Sequence, residues 1–412
     1  MFSIIARLKQ IATVVLFLLL PLTSMAAQEA QVKTVLIGFS GPLSGVSETF
    51  GKSLANAAEM ALAETNRQSP RIGGQRVFYR LLRQDDRNDP QTAVAVAKYF
   101  LQEGVVAVIG TANSGTAQAV AKIYADAGVA LVTPAVSASV LTEQGFGSFF
   151  RMIGHDDLAA ANLLHYAIRV MNLRRFAVVD NGSLYGVAVS ASVHEQVRQL
   201  GAQTVARERI SYSTDLHQLV RRLKQRGAEA VFFGGYSSQA MLLAQVIQQE
   251  GGGLRLMVAS MGAAGSTFLI AARSAANGVL AIESGVPTSF MPGWRRFEDD
   301  YNQRYGLNLY GLTPFAYDAA QVLMAAMRQC GCTRPRMIVE TLRQIVIKGL
   351  TGPVAFDAAG NPRNQVFTIY QAQNQRWVPL QTYEDNPAPM RKRGESGESG
   401  DDAVAGRDAR QP

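Results

Sequence analysis

The chain has 412 residues, 48% of them apolar and 17% charged, which is too long for one compact core, suits two domains, and excludes a chain disordered over most of its length. Lys and Arg number 40 against 32 Asp and Glu, a formal net charge of +8. The excess is scattered in spots such as Arg174-Arg175, Arg221-Arg222 and Arg295-Arg296, with no basic stripe interleaved with aromatics, so a nucleic-acid groove is excluded.

Residues 1–26 read as an export signal. Arg7 and Lys9 form a positive start, Ile11 to Leu20 an apolar run too short to span a membrane, and Ser24-Met25-Ala26 the small residues of a cleavage site. Removing this segment leaves a charge of +6 and a chain starting near Ala27. No Cys follows the cleavage site. The expected product is therefore a periplasmic protein without a lipid anchor.

Val32 to Ser40 is the first expected strand, followed by the turn Gly41-Pro42-Leu43-Ser44-Gly45 and a helix over about Phe50 to Arg67. Ile72-Gly73-Gly74 turns into a strand from Arg76 to Leu82. Asp85, Asp86 and Asp89 form an acidic loop in which Asp89 fits a helix cap with Pro90 at the first helical position; the helix runs to Glu103. Val105 to Ile109 is a buried strand, Gly110 to Ser114 a tight turn, and Ala117, Val120, Ala121 and Tyr124 recur at helical spacing. Val129 to Val132 is a strand ending in Thr133-Pro134-Ala135-Val136-Ser137.

Phe149 to Arg151 reads as a short strand leaving this block, after which the pattern restarts. Asp156 or Asp157 caps a helix to Asn172; strands follow at Phe176–Asp180, Gln203–Ile210, Ala230–Gly234, Leu256–Ala259 and Val279–Glu283, with helices to Leu200, over Asp215–Arg226 and to Glu250. Further helices span Pro292–Tyr305, Thr313–Arg328 and Arg334 to about Ile347. Thr351 to Asp357 and Val366 to Tyr370 read as a hairpin, and the chain beyond Thr382, rich in Pro, Gly, Arg and Glu, as a disordered tail. The alternation predicts α/β lobes with parallel sheets and helices on both faces.

In such sheets ligands sit at the carboxyl ends of the strands. Four of these ends carry small or hydroxylic residues: Ser114 to Thr116, Thr133 to Ser137, Asp180 to Tyr185, and Tyr236 to Ser238. Ser114 and Thr116 with Gly115 at a helix N-terminus suit a carboxylate; the plainer alternative is that Ser114 only caps the helix. Tyr185 and Tyr236 offer flat walls for an aliphatic body or a cation. Catalysis finds little support, because His155, His165, His194 and His217 fall in no triad or metal spacing. Gly110 and Gly115 lack the Lys of a phosphate loop, and Gly251-Gly252-Gly253 follows a helix rather than a strand, so no cofactor is expected. Cys330 and Cys332, in Cys-Gly-Cys, are read as structural, either a small strained disulfide or two thiols.

Taken in order, Ser40-Gly41-Pro42, Asp85-Asp86 before Asp89-Pro90, Val108-Ile109-Gly110 with Ser114, Val132-Thr133-Pro134-Ala135, Tyr185-Gly186, Phe233-Gly234-Gly235-Tyr236, Ala316-Tyr317-Asp318-Ala319 and Thr351 to Asp357 form a series of landmarks. Over residues 32–380 the chain resembles the periplasmic leucine/isoleucine/valine-binding proteins of ABC importers. The resemblance implies two Rossmann-like lobes, residues 27–152 with 285–350 and residues 153–284 with 351–383, joined by three crossovers and closing on ligand. It also implies that Ser114, Ala135 and Ser137 hold the ligand carboxylate, that Tyr185 and Tyr236 contact the ligand and its ammonium group, and that Phe50 lies beside its side chain.

The implied protein is a monomeric, non-enzymatic receptor handing a small amino acid or related carboxylate to an inner-membrane ABC permease. One position departs from the family. Where branched-chain binders carry a Glu that pairs with the ammonium, this chain has Ser260-Met261-Gly262-Ala263. Glu283 or another acid substitutes, or the ligand is an aromatic acid, amide or urea-like compound without an ammonium. A ligand sensor of the same fold is the second reading, and a periplasmic hydrolase, disfavoured by the missing nucleophile–base pair, the third.

Overall fold

The computed structural model describes residues 32–259, 263–306 and 309–384. The export signal and most of the tail expected from the sequence lie outside these residues.

The first half of the chain builds β1 (Lys33–Gly41), α1 (Glu48–Arg67), β2 (Arg71–Ile72), β3 (Gln75–Asp85), α2 (Pro90–Gln102), β4 (Ala107–Gly110), α3 (Ser114–Ala127), β5 (Ala130–Thr133), α4 (Val140–Glu143) and β6 (Phe149–Arg151). Its six-stranded sheet runs β2-β3-β1-β4-β5-β6, parallel except for the β2–β3 hairpin. Strands buried on both faces need apolar residues at every position, and β4 and β5 are buried throughout. Ile37 and Phe39 of β1 pack under α1 with Leu54, Ala58 and Leu62, while Val108 and Leu131 pack under α2 and α3 with Phe100 and Tyr124 on the opposite face. Each fully buried large side chain contributes roughly 1.5–3 kcal/mol.

The pattern then repeats as α5 (Asp156–Arg169), β7 (Arg175–Asp180), α6 (Leu184–Gln199), β8 (Gln203–Arg209), α7 (Leu216–Gln225), β9 (Ala230–Gly234), α8 (Ser237–Gln249), β10 (Arg255–Val258), α9 (Ser266–Ala272) and β11 (Leu280–Ser284). The chain returns to the first core with α10 (Trp294–Tyr305), α11 (Thr313–Cys330), α12 (Pro335–Leu342) and the small ladder of β12 (Ile347–Gly349) and β13 (Gly352–Val354). It ends in β14 (Val366–Gln373) and β15 (Arg376–Glu384), which complete a seven-stranded sheet, β15-β14-β11-β10-β9-β7-β8. The polypeptide thus passes between the two sheets' cores three times, at 152–155, 285–293 and 355–365. Val354 and Phe356 pack in the first core, beyond residue 350 where the last segment of the second lobe was expected to start.

Both sheets have their topological switch point between two parallel neighbours, β1 and β4 in one and β7 and β9 in the other. The chain on either side of such a point turns to opposite faces, which leaves a crevice at the strand ends. At the first, Ser40 pairs with Gly110, whose φ is +132° and whose added Cβ would lie 2.2 Å from the Ser40 carbonyl oxygen. Only glycine fits there.

Several expectations are corrected. The helix starting near Arg334 stops at Leu342, and Ile347 belongs to β12. The expected hairpin between Thr351–Asp357 and Val366–Tyr370 does not form: β13 pairs with β12, and β14 pairs with β11 and β15. Only a single bridge, Phe356 with Pro362, closes the turn in between. A strand not expected from the sequence, β15, runs on to Glu384, past Thr382 where the tail was expected to begin. His155, rather than Asp156 or Asp157, caps α5 by accepting the Leu158 N–H. Of the two states left open for Cys330 and Cys332, the structure has free thiols.

Candidate functional site

Between the two sheets lies a cavity of about 210 Å³. Its walls are strand-end turns and helix starts from both lobes, and it draws on all four turns singled out in the sequence.

The first wall is organised by a chain of polar contacts. The buried Asp86 accepts from the Ser40 hydroxyl at 3.0 Å and from the Asn88 N–H at 3.0 Å. Burial raises its pKa to about 6 despite these donors. The Asn88 side-chain oxygen then accepts from the Asn113 amide at 2.9 Å. The Asn113 side-chain oxygen in turn accepts the Thr116 N–H at 2.9 Å, capping α3. Asn113 therefore does the capping that Ser114 could have done. Ser114, only 4% exposed, lines the cavity, and among the described residues its hydroxyl has no protein partner. Asp89 caps α2 through Thr92, so the acidic loop serves the scaffold rather than chemistry.

Ala135 and Ser137 line the same wall; Ser137 is buried, and its carbonyl accepts the Asp156 N–H at 3.0 Å. Asp156 is buried behind it near the guanidinium of Arg151, which is also buried. Burial foremost, with Asp157 adding, raises the Asp156 carboxyl to about 7. Burial likewise lowers Arg151, to about 10.

Across the cavity, Gly186 follows Tyr185 and packs so closely on Gly234 that a Cβ would lie 2.6 Å from the Gly234 carbonyl oxygen. This approach sets Tyr185 deep in the wall, where its hydroxyl donates to the Ala259 carbonyl and burial pushes its pKa well up. Tyr236, 42% exposed, stands at the cap position of α8 with its ring toward open space. Phe50 meets Tyr310 edge to face at 5.4 Å. The Tyr310 hydroxyl bonds to Thr49 Oγ1 at 2.7 Å and accepts from Thr267 Oγ1 of the opposite lobe at 3.5 Å.

Of the residues expected at the site, Ser114, Ala135, Ser137, Tyr185, Tyr236 and Phe50 border the cavity together. Gly115 and Thr116 do not border it: Thr116 is fully buried, and its hydroxyl donates back to the Asn113 carbonyl at 3.0 Å. Residues 260–262, where the family's Glu was expected to be missing, lie outside the described residues. Sequence reasoning missed Asn88, Tyr310, Thr267 and Met241. Asn88 was within reach, since it sits in the acidic loop; nothing in the sequence distinguishes the other three.

The sequence profile of the periplasmic binding protein family matches residues 34–376. The chain belongs to this family. Among curated members, the leucine-, isoleucine-, valine-, threonine- and alanine-binding protein of Pseudomonas aeruginosa is 28% identical over 368 residues, spanning 86% of this chain and 94% of that one. The Leu/Ile/Val-binding protein of Citrobacter freundii is 26% identical over 346 residues, 83% of this chain and 91% of its own. Among solved structures, the leucine-binding protein LivK of Thermotoga maritima superposes with a TM-score of 0.75 at 22% identity, covering 84% of this chain and 98% of that one. A solute-binding protein of an ABC transporter from R. palustris, solved with benzoate, gives a TM-score of 0.74 at 18% identity over 86% and 97%. The fold is that of type I periplasmic binding proteins.

The chemistry of the cavity suits a binding protein of this family. Its polar lining consists of hydroxyls and amides, its apolar lining mostly of aromatic rings and Met241. Among the described residues no three His, Cys, Asp or Glu side chains are grouped to hold a metal ion. Likewise none of their helices is long and apolar enough to cross a membrane.

Proposed function

We propose that this chain is the periplasmic solute receptor of an ABC importer and closes its two lobes over one small solute that carries a carboxylate. The observation behind this reading is one cavity walled by both lobes, with the Ser114 and Ser137 hydroxyls and the Phe50 and Tyr310 rings in the first and Tyr185 and Tyr236 in the second. Ser114 stands at the first position of a 14-residue helix, where backbone N–H groups and the positive end of the dipole favour an anion. The Ser114 and Ser137 hydroxyls with the backbone around Ala135 receive the carboxylate, while Tyr185, Tyr236 and Phe50 enclose the body of the solute.

Ligand bridging both lobes favours the closed arrangement by its extra contacts there. The closed receptor presents a continuous surface from both lobes to the permease. It acts as a monomer and carries out no chemical step. The printed names of its relatives, which include leucine, isoleucine and valine binders, favour a solute of amino-acid size.

A thermal-shift screen of the purified chain against amino acids, organic acids and short amides tests this reading. A ligand present at 100 times its Kd stabilises the folded state by about 2.7 kcal/mol, a readily measured rise in Tm. Deleting the gene should abolish uptake of the same solute. A melting temperature unmoved by every class, or turnover of the bound compound, would remove the receptor assignment.

A further inference from the structure

We infer that the solute is a carboxylic acid with an apolar or aromatic body and no ammonium group. This rests on the receptor reading above and narrows it to a chemical class.

The cavity is bordered, among the described residues, by no Asp, Glu, Lys, Arg or His. The undescribed internal stretches add none, because residues 260–262 are Ser-Met-Gly and residues 307–308 are Leu-Asn. A carboxylate entering this space meets the Ser114 and Ser137 hydroxyls, the former at the first position of α3. An ammonium entering it meets no opposite charge. Losing its hydration without a carboxylate beside it is among the most unfavourable events in binding.

The geometry of an α-amino acid makes this worse. Its ammonium is one carbon away from its carboxylate, so anchoring the carboxylate at Ser114 holds the ammonium close to the positive end of the α3 dipole. Rings that could attract a cation stand in both lobes, Phe50 and Tyr310 in the first and Tyr185 and Tyr236 in the second, but none supplies the formal charge that would offset the lost hydration.

Two buried acids stand behind the walls and do not border the cavity. Glu283 on β11 accepts the Ala264 N–H at 2.7 Å. Asp156 lies behind Ser137, with the buried Arg151 nearby to balance its charge. The body of the solute meets Phe50 and Tyr310, set edge to face, with Phe268 and Met241 beyond. That lining suits an aryl or branched alkyl group.

Isothermal titration with matched pairs tests the assignment: leucine against 4-methylpentanoate, and phenylalanine against 3-phenylpropanoate and its amide, with benzoate as a compact aryl acid. The expected result is that the acid lacking the amino group binds at least tenfold more tightly than its amino acid in the better-fitting pair, and more tightly than the amide. Amino acids binding as well as or better than their deaminated partners overturns the class while leaving the receptor reading standing. An amide matching its acid overturns the carboxylate in both. No saturable binding by any member at millimolar concentration overturns the proposal and the carboxylate-receptor reading together. In the Ser114→Ala variant the preferred acid should lose affinity about as much as the donor is worth, several-fold, with Tm of the free protein unchanged; an unchanged affinity contradicts the orientation.

Discussion

The side-chain oxygen of Asn113 accepts the backbone N–H of Thr116 at 2.9 Å, and this one bond relieves Ser114 of any capping duty. On the receptor reading, scaffold and ligand roles are split between adjacent residues, and variants should separate them. Ser114→Ala combined with Ser137→Ala is expected to weaken solute binding more than tenfold, which is at least about 1.4 kcal/mol, with little change in Tm. Asn113→Ala is expected to lower unfolding stability by ~1 kcal/mol. Calorimetry and urea unfolding on the same variants check both; a Ser114→Ala, Ser137→Ala protein that binds normally contradicts the carboxylate cradle.

Asp318 is expected to be a principal anchor of the first lobe. Fully buried in α11, it accepts from Leu350 N at 2.8 Å, Thr351 N at 2.7 Å and Thr351 Oγ1 at 2.6 Å. Asp318→Ala leaves one buried and two part-buried donors unmatched and should destabilise the protein by roughly 3 kcal/mol. A midpoint shift in urea corresponding to under about 1 kcal/mol contradicts this account.

Stability should fall as pH rises from mildly acidic to neutral. Burial raises Asp86 to about 6 and Asp156 to about 7, against an ordinary 3.8. Between the ordinary value and these values the folded protein binds protons that the unfolded chain releases. The stabilisation is thus full at the acid end of the window and is lost as pH passes the folded values, by up to about 1.4 kcal/mol per group for each pH unit. His155, lowered mainly by burial, acts in the opposite sense on acidification below its ordinary 6.5 and moderates the slope. Tm recorded across this window should decline toward neutrality, and Asp156→Asn should flatten the decline. An unchanged slope in that variant removes Asp156 from the explanation.

Gly110→Ala should both destabilise and impair binding. Its φ of +132° is foreign to residues with a Cβ, and the added atom would lie 2.2 Å from the Ser40 carbonyl oxygen. The clash falls on the β1–β4 register that carries α3 and Ser114. A loss of about 3 kcal/mol together with weaker solute binding is expected. A variant crystal structure with β1 and β4 undisturbed contradicts it.

Much of this arrangement was legible because parallel α/β sheets write their topology locally. Buried strands such as Ala107–Gly110 are apolar at every position, and the turns after them carry the small residues that reach the cavity. What was not legible depends on partners distant in sequence. Tyr310 and Thr49 meet across 261 positions, with no local pattern to signal it. β15 was hidden by its half-exposed, polar composition and by Pro379 in its middle, so β14 was given the wrong partner. The helix at Pro335 was extended too far because Ile345 and Ile347 continue its apolar spacing, although the helix stops at Leu342 and Ile347 opens the two-stranded ladder.

The order of segments along the chain has a consequence for biogenesis. α11 covers the first sheet and β14 pairs with β11, yet both are made long after the strands they complete. A chain emerging from its N-terminus has neither half finished until residues 313–384 have been supplied. Until then the apolar face that α11 covers and the β11 edge that β14 pairs lack their native partners.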